Sequence, residues 1–397
     1  MDSKILKTIE LKKGKEVNLY RKHPWLFSGA IFGAVNLFED GELVYVQDSK
    51  KQRLGFGHFH HGSIAVKLLA FGIADYDLKF WEERLRNAFE ARKLLMFKSQ
   101  NTNCFRWIHG EGDMLPGLII DIYDKTIVIQ CHTIGMHKQI QEIILAIQQI
   151  FEAQDICIVD KSKDSLPTQY ANSIQNSVVH GNLIELDCIE HGFRFEIDVL
   201  GGQKTGFFLD QRENRKLLSK YAESKIILNA YCYNGGFSIY ALGAGAKHVS
   251  SVDVSKKALE GLKQNLRINN MQDAPHDSIC ADVHQFLDQM ESELYDIIIL
   301  DPPAFAKSIA KRHTAVQAYK RINIQAIKKI KKHGLLFSFS CSQVVSEELF
   351  YNTLVSAGIE SGRNIRVLHK LSQGPDHPVN LFHPEGAYLK GLVLYVE

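Results

Sequence analysis

The chain has 397 residues, 45% of them hydrophobic and 23% charged, with a formal net charge of only +2. That balance excludes a disordered, collagenous or uniformly polycationic chain, and the length is enough for two or three domains. No uncharged apolar run reaches membrane-spanning length, and the opening Met1–Lys4 begins no apolar signal-peptide core, so the expected location is the cytoplasm.

The charge is unevenly placed. Residues 1–72 hold nine Lys and two Arg against seven acids, and residues 307–332 hold nine Lys and Arg with no acid. Local basic faces of this kind suit a polyanionic partner. The seven cysteines, at 104, 131, 157, 188, 232, 280 and 341, form no Cys-x-x-Cys pair and are odd in number. This argues against a zinc ribbon or a disulfide framework and for a reducing compartment; no metal ligand set is expected.

In chain order, residues 5–72 read as short strands. Leu43–Gln47 and Ile64–Leu69 are apolar and partly alternating, and Gly41, Gly55, Gly57 and Gly62 punctuate them. Residues 76–98 have helical spacing, with Leu78, Trp81, Leu85, Phe89, Leu94 and Leu95 on one face. Arg106–His109, Leu118–Tyr123 and Thr126–His132 read as strands, residues 136–152 as a helix, and Ile156–Val159 and Ile184–Cys188 as further strands. The pattern predicts a β-rich domain over 1–73 and an α+β middle domain over 74–190.

From about residue 200 strands and helices alternate. Ile226–Ala230, Val249–Val254, Ser278–Ala281, Ile297–Leu300 and Leu335–Ser340 are strand-like. Segments 236–244, 255–269, 283–291 and 312–332 are helical. An α/β domain over 191–397 is expected, with a doubly wound, mostly parallel sheet. Ligands on such sheets sit outside the carboxyl ends of the strands, at a topological switch point.

Four such strand ends carry motifs. The first strand runs into Asn229-Ala-Tyr-Cys-Tyr-Asn-Gly-Gly-Phe237, where Gly235 and Gly236 let the chain turn and a ligand approach the backbone. Asp253 ends the second strand, placed to accept both ribose hydroxyls of an adenosyl ligand. Asp282 ends the third, within reach of an adenine amino group, and Asp301-Pro-Pro-Ala-Phe305 ends the fourth. The dinucleotide fingerprint Gly-x-Gly-x-x-Gly is absent after the first strand, and so is a phosphate loop. A phosphate-free nucleoside such as S-adenosyl-L-methionine requires neither. Taken singly, Gly235–Gly236 could be only a turn and Asp253 only a helix cap; the joint pattern favours the ligand.

The sequence resembles the bacterial ribosomal RNA large-subunit methyltransferase I family over nearly its whole length. The resemblance is carried by Lys13-Gly-Lys-Glu16, Arg21-Lys-His-Pro-Trp-Leu-Phe-Ser-Gly-Ala30, Leu115-Pro-Gly-Leu-Ile-Ile-Asp121 and Lys204-Thr-Gly-Phe-Phe-Leu-Asp-Gln-Arg-Glu-Asn214. Tyr233–Phe237, Asp301-Pro-Pro303, Phe339-Ser-Cys-Ser342, Asp376-His-Pro378 and Pro384-Glu-Gly386 complete it. It implies a PUA domain, a middle domain and a Rossmann-like class I methyltransferase domain, acting on cytosine carbon 5 of large-subunit ribosomal RNA. It implies S-adenosyl-L-methionine as cofactor, with Gln211, Asn229, Tyr231, Tyr233, Gly235, Gly236, Asp253, Asp282 and Asp301 around it, and is compatible with a homodimer. There are departures: Asn229 stands where many methyltransferases have an acid, Ala304 where relatives often have Lys. Pro302-Pro303 replaces the Pro-Cys motif of many cytosine-C5 RNA methyltransferases.

Carbon 5 of cytosine is a poor nucleophile until a thiolate adds at carbon 6. Cys341, at the end of Leu335–Ser340 and flanked by Ser340 and Ser342, is the candidate nucleophile; a buried structural cysteine is the bland alternative. Asp301 could hydrogen-bond the N3/N4 edge of the base, or merely cap the turn. Cys232 lies in the cofactor loop with no evident target.

A base attacked on both faces must be flipped or looped out. Lys307, Lys311, Arg312, Lys320 and Arg321 follow the Asp301 motif and are expected on phosphates. Lys328, Lys329, Lys331 and Lys332 read as a solvated helix end. Arg21, Lys22 and Trp25 are expected to add RNA affinity, although Trp25 could equally be core. Two alternatives stay open: guanine-nitrogen methylation, which needs no cysteine, and a non-catalytic RNA-binding assembly factor.

Overall fold

The computed structural model describes residues 6–73, 75–77, 79–97, 101–152, 155–183 and 186–397. Leu78, Ile184 and the Met1–Lys4 segment lie outside them. By contact the chain divides into two compact units, one of Met1–Cys188, Ile197–Phe207 and Pro375–Gly386, the other of Ile189–Glu196, Phe208–Gly374 and Ala387–Glu397.

The first unit carries two five-stranded sheets. In the N-terminal sheet β1 (Lys7–Glu10), β2 (Trp25–Phe27), β3 (Leu43–Gln47), β4 (Arg53–Phe59) and β5 (Ile64–Phe71) lie in the order β1-β3-β4-β5-β2. Gly55 and Gly57, expected between strands, lie inside β4. A Cβ at Gly55 would run into the Ala70 carbonyl, and one at Gly57 into that of Lys67. The register shifts between Phe56 and Gly57, so these glycines mark close backbone approach at a bulge rather than strand ends.

The second sheet runs β10-β9-β8-β7-β6, built from β6 (Cys104–His109), β7 (Leu118–Tyr123), β8 (Thr126–Cys131), β9 (Cys157–Asp160) and β10 (Ser177–His180). Helix Lys79–Lys93 contributes Trp81 and Leu85 to the core and ends short of Leu94, which is exposed. The expected helix over 136–152 is two, Ile134–Lys138 and Ile140–Ile150, broken at Gln139. Thr133 caps the first by accepting the Met136 N–H at 3.3 Å. Of the expected strand Ile184–Cys188, the first two residues lie outside the described ones, and the strand that is described begins only at Cys188. β11 (Cys188–Glu190) pairs instead with β12 (Phe193–Phe195) around His191 and Gly192, both at positive φ. That is the backbone of a two-residue hairpin turn, a His-Gly signal the strand pattern did not reveal.

The second unit holds a seven-stranded sheet: β13 (Ile226–Ala230), β14 (His248–Asp253), β15 (His276–Cys280), β16 (Ile297–Leu300), β17 (Gly334–Ser340), β18 (Ile365–Ser372) and β19 (Lys390–Val396). The order is β15-β14-β13-β16-β17-β19-β18. The five strands expected from the alternation are parallel neighbours. β19 inserts antiparallel between β17 and β18, an addition the sequence reading did not make. The central parallel strands β13, β16 and β17 are mostly buried Ile, Leu and Phe because helices cover both faces, whereas edge strand β15 has no buried residue. The order reverses between β13 and β16, which pair with Ala230 opposite Leu300. The crevice a doubly wound sheet offers a ligand therefore opens between Tyr231 and Asp301.

Candidate functional site

The loop after β13 has left-handed backbone at Tyr231, Tyr233 and Gly235 (φ 61°, 47° and 80°). Gly235 precedes helix Gly236–Gly243, and a Cβ there would collide with Leu262, so φ and packing both demand glycine. Asp253 stitches the loop to the next strand end: one carboxylate oxygen accepts the Tyr233 N–H at 2.9 Å, the other the Ser255 N–H at 2.8 Å. The capping alternative belongs to Ser255, whose hydroxyl accepts the Ala258 N–H at the start of helix Lys256–Ile268. Asp282 caps helix Val283–Gln289 by accepting the Gln285 N–H at 3.0 Å.

The Asn229 amide donates to Ser238 Oγ at 2.8 Å, Ser238 meets Ser251 Oγ at 2.6 Å, and Ser251 meets His276 Nε2 at 2.8 Å. An acid at position 229 could not donate to Ser238, which accounts for the amide. Asn229 Oδ1 and the Tyr231 hydroxyl are buried without a hydrogen-bond partner among the described residues. Burial and Asp282 push the Tyr231 phenol well up, so it stays a neutral donor. Orphaned buried polar atoms at a switch-point crevice are what a nucleoside-binding loop presents before its ligand is added. The residues present fit adenosylmethionine.

Gln211 is buried just before helix Arg212–Ser219, and its side-chain oxygen accepts from Asn214 at 2.6 Å. Its segment reaches the loop through Phe208, edge-on to Tyr233 with ring centroids 5.1 Å apart. Arg215 lies under Gly236, its Cδ 3.1 Å from where a Cβ would stand. A bidentate pair holds Arg215 to Glu190, both bonds 2.8 Å, and Tyr240 adds a third bond to Glu190 at 2.9 Å. The cluster was not visible in the sequence, where Glu190 lies just beyond the expected strand Ile184–Cys188 and carries no motif.

Asp301 and Cys341 leave adjacent parallel strands, with Leu300 opposite Ser338. Cys341 is half-buried and Asp301 partly exposed. Tyr319, fully buried on helix Arg312–Lys329, stands where both act on it electrostatically, with the Ser340 side chain beside its hydroxyl. Burial raises that phenol to about 12. Phe305 packs on Tyr319 at 4.6 Å and faces Tyr231 at 6.5 Å, so the Asp301–Phe305 loop runs between cofactor loop and thiol. Ser342 Oγ donates to the Ala306 carbonyl at 2.8 Å, joining that loop to the Cys341 turn. Cys232 is buried, and burial with Asp253 pushes its thiol up.

Lys307, Lys311 and Arg312 are exposed. Lys320, expected on phosphate, pairs with Glu360 at 2.7 Å. Lys329 donates to the Met290 carbonyl and Lys331 pairs with Asp296 at 3.1 Å, so neither is a merely solvated helix end. In the other unit Arg21 and Lys22 are exposed, with Lys22 5.5 Å from the Phe382 ring centroid. Trp25 is half-buried: its indole N–H donates to Glu111 at 2.9 Å and its ring meets His383 edge-on at 4.3 Å. His23, His383 and Glu385 bring ligand-type atoms within 4.8 Å of one another there. Among the described residues no helix is long and apolar enough to cross a membrane.

Fold and site together define a class I methyltransferase using S-adenosyl-L-methionine. Residues 105–379 match the S-adenosylmethionine-dependent methyltransferase family and residues 9–71 a PUA-like domain. The chain is 36% identical over 394 residues to the ribosomal RNA large subunit methyltransferase I of Pseudoalteromonas translucida, covering 98% of this chain and 99% of that one. It is 33% identical over 402 residues to the Klebsiella pneumoniae protein of the same name, covering 100% of each. A structure described as a SAM-dependent methyltransferase from Streptococcus mutans superposes with a TM-score of 0.84 at 21% identity, covering 98% and 100%, a likeness of fold. The chain belongs to the ribosomal RNA large subunit methyltransferase I family.

Proposed function

We propose that this protein methylates carbon 5 of a cytosine in large-subunit ribosomal RNA, with Cys341 as covalent nucleophile. The names of the relatives support the substrate. The observation that carries the chemistry is the half-buried Cys341 at a carboxyl strand end beside Asp301, across the switch-point crevice from the adenosyl-binding loop.

The Cys341 thiolate adds to carbon 6 of the ring, and the displaced electron pair makes carbon 5 an enamine carbon. A protonated Asp301 hydrogen-bonds the N3/N4 edge and steadies the negative charge the addition drives into the ring. Adenosylmethionine, when bound, supplies an electrophilic methyl group to carbon 5. The carbon-5 proton then leaves to a base, the electron pair reforms the carbon 5–carbon 6 double bond, and the thiolate departs. Tyr231 and Asp253 orient the adenosyl moiety, and the Phe305 loop separates it from bulk water. Exposed Lys307, Lys311 and Arg312 hold phosphates near the extruded base; Arg21 and Lys22 add contact from the PUA domain.

The test is loss of methylation on Cys341→Ala with adenosylmethionine binding retained. Near-normal activity would point to attack by a guanine nitrogen, which needs no thiol.

A further inference from the structure

The turn that carries Cys341 is held by a cation from the neighbouring strand. β19 runs antiparallel to β17 with Lys390 directly opposite Ser340, the residue before Cys341. Lys390 is only 6% exposed, and its Nζ donates to the carbonyls of Ser342 and Val345, both at 2.6 Å. Both acceptors are neutral, so the geometry alone does not compensate a buried ammonium. Burial accordingly brings Lys390 down to about 8, while Cys341 and, secondly, Glu347 favour its charged form. A turn needing only two carbonyls satisfied could use a neutral donor. A lysine there is explained by an anion that forms beside it.

We propose that Lys390 is a positioning residue for Cys341: its ammonium fixes the turn that presents the thiol and stabilises the thiolate that adds to carbon 6. This rests on the reading of Cys341 as nucleophile. Among the titratable groups around this turn, Tyr319 on helix Arg312–Lys329 is acted on by both Cys341 and Asp301, Glu347 at the start of helix Glu347–Ser361 acts with Cys341 on Lys390, and Tyr388 just before β19 packs against the same apolar cluster as Cys341. Asp301 is protonated in the proposed reaction and so brings no charge against the thiolate, Tyr319 stays neutral, and Lys390 is the cation of the set. An opposite charge at close range lowers an ionisation constant by roughly 1–3 units, which places more of the thiol in its reactive form near neutral pH.

The experiment is alkylation of the full-length protein by iodoacetamide across a pH series, with the label on Cys341 counted by peptide mass mapping. Mapping is needed because Cys280 is exposed as well. Lys390→Met should shift the Cys341 alkylation midpoint upward by about one pH unit or more, a roughly tenfold slower reaction at neutral pH. Lys390→Arg, which keeps the charge, should restore most of the rate. Thermal unfolding and adenosylmethionine binding report whether each variant is folded. A folded Lys390→Met protein with a lower melting temperature but an unshifted midpoint makes Lys390 a structural staple only and overturns the proposal. Should Lys390→Met not fold, Lys390→Arg decides. Arginine does not deprotonate in this range, so the wild-type Cys341 profile should carry an inflection near pH 8 from Lys390 that the arginine variant loses. Identical profiles overturn the proposal. Alkylation uses no RNA, so it tests the Lys390 charge even where Cys341→Ala methylation assays reject the nucleophile.

Discussion

The Asp253 carboxylate accepts the backbone N–H of Tyr233 at 2.9 Å, so the acid expected on the ribose also sets the backbone of the loop that must close around it. Asp253→Ala should therefore lose affinity twice, through the ribose and through the loop. Charge-assisted hydrogen bonds contribute roughly 1.5–3 kcal/mol each, so calorimetry should show adenosylmethionine binding at least tenfold weaker. Asp253→Asn retains one acceptor and should lose less. Equal losses would mean that the acceptor Asn retains contributes nothing to binding.

Arg215 and Glu190 are both buried, and breaking such a pair leaves an uncompensated charge. Arg215→Met should destabilise the protein by about 3–5 kcal/mol, read as a lower urea midpoint. The double variant Arg215→Met with Glu190→Gln should lose less than the sum of the singles. Strict additivity would show that the two side chains do not act as a pair.

His58 is fully buried with neither ring nitrogen hydrogen-bonded among the described residues, and burial lowers it to about 3. It stays neutral in the fold but protonates near 6.5 when unfolded. The unfolded chain binds more protons between these values, so this stability is present above about pH 6.5 and drains away as pH falls toward 3. His132, His191 and His276, each lowered to about 4 chiefly by burial, act in the same direction. His58→Phe should flatten the fall in melting temperature between neutral pH and pH 4. A parallel curve would show that His58 takes up protons alike in the folded and unfolded states.

RNA affinity should weaken steeply with salt if the exposed cations after Asp301 bind phosphate. Neutralising Lys307, Lys311 and Arg312 together should reduce the slope of log affinity against log salt by about 2–3. Neutralising Lys320, already paired with Glu360, should change it little. Equal effects would remove the distinction between paired and unpaired cations.

The parallel sheet was legible because its central strands are apolar runs ending in strand-end motifs; Ile226–Ala230 and Ile297–Leu300 match the structure to the residue. β18 and β19 were not, since an antiparallel insertion leaves no alternating signal distinct from other apolar runs. Gly55 and Gly57 misled because a glycine demanded by a neighbouring backbone looks the same in sequence as one that ends a strand. At the site, single residues with intrinsic chemistry, Asp253, Asp301 and Cys341, could be named from their places at strand ends. Tyr319 and Lys390 could not, because what singles them out is burial beside groups far away in sequence.

Covalent catalysis by Cys341 is tested most directly with RNA carrying 5-fluorocytosine at the target position. After methyl transfer the fluorine cannot leave as a cation, elimination is blocked, and the enzyme should remain bonded to the RNA. Wild-type protein should give a denaturation-resistant complex dependent on adenosylmethionine, with the crosslinked peptide containing Cys341, and Cys341→Ala should give none. A crosslink on another cysteine, or Cys341→Ala methylating normal RNA at a near-wild-type rate, would contradict the assignment.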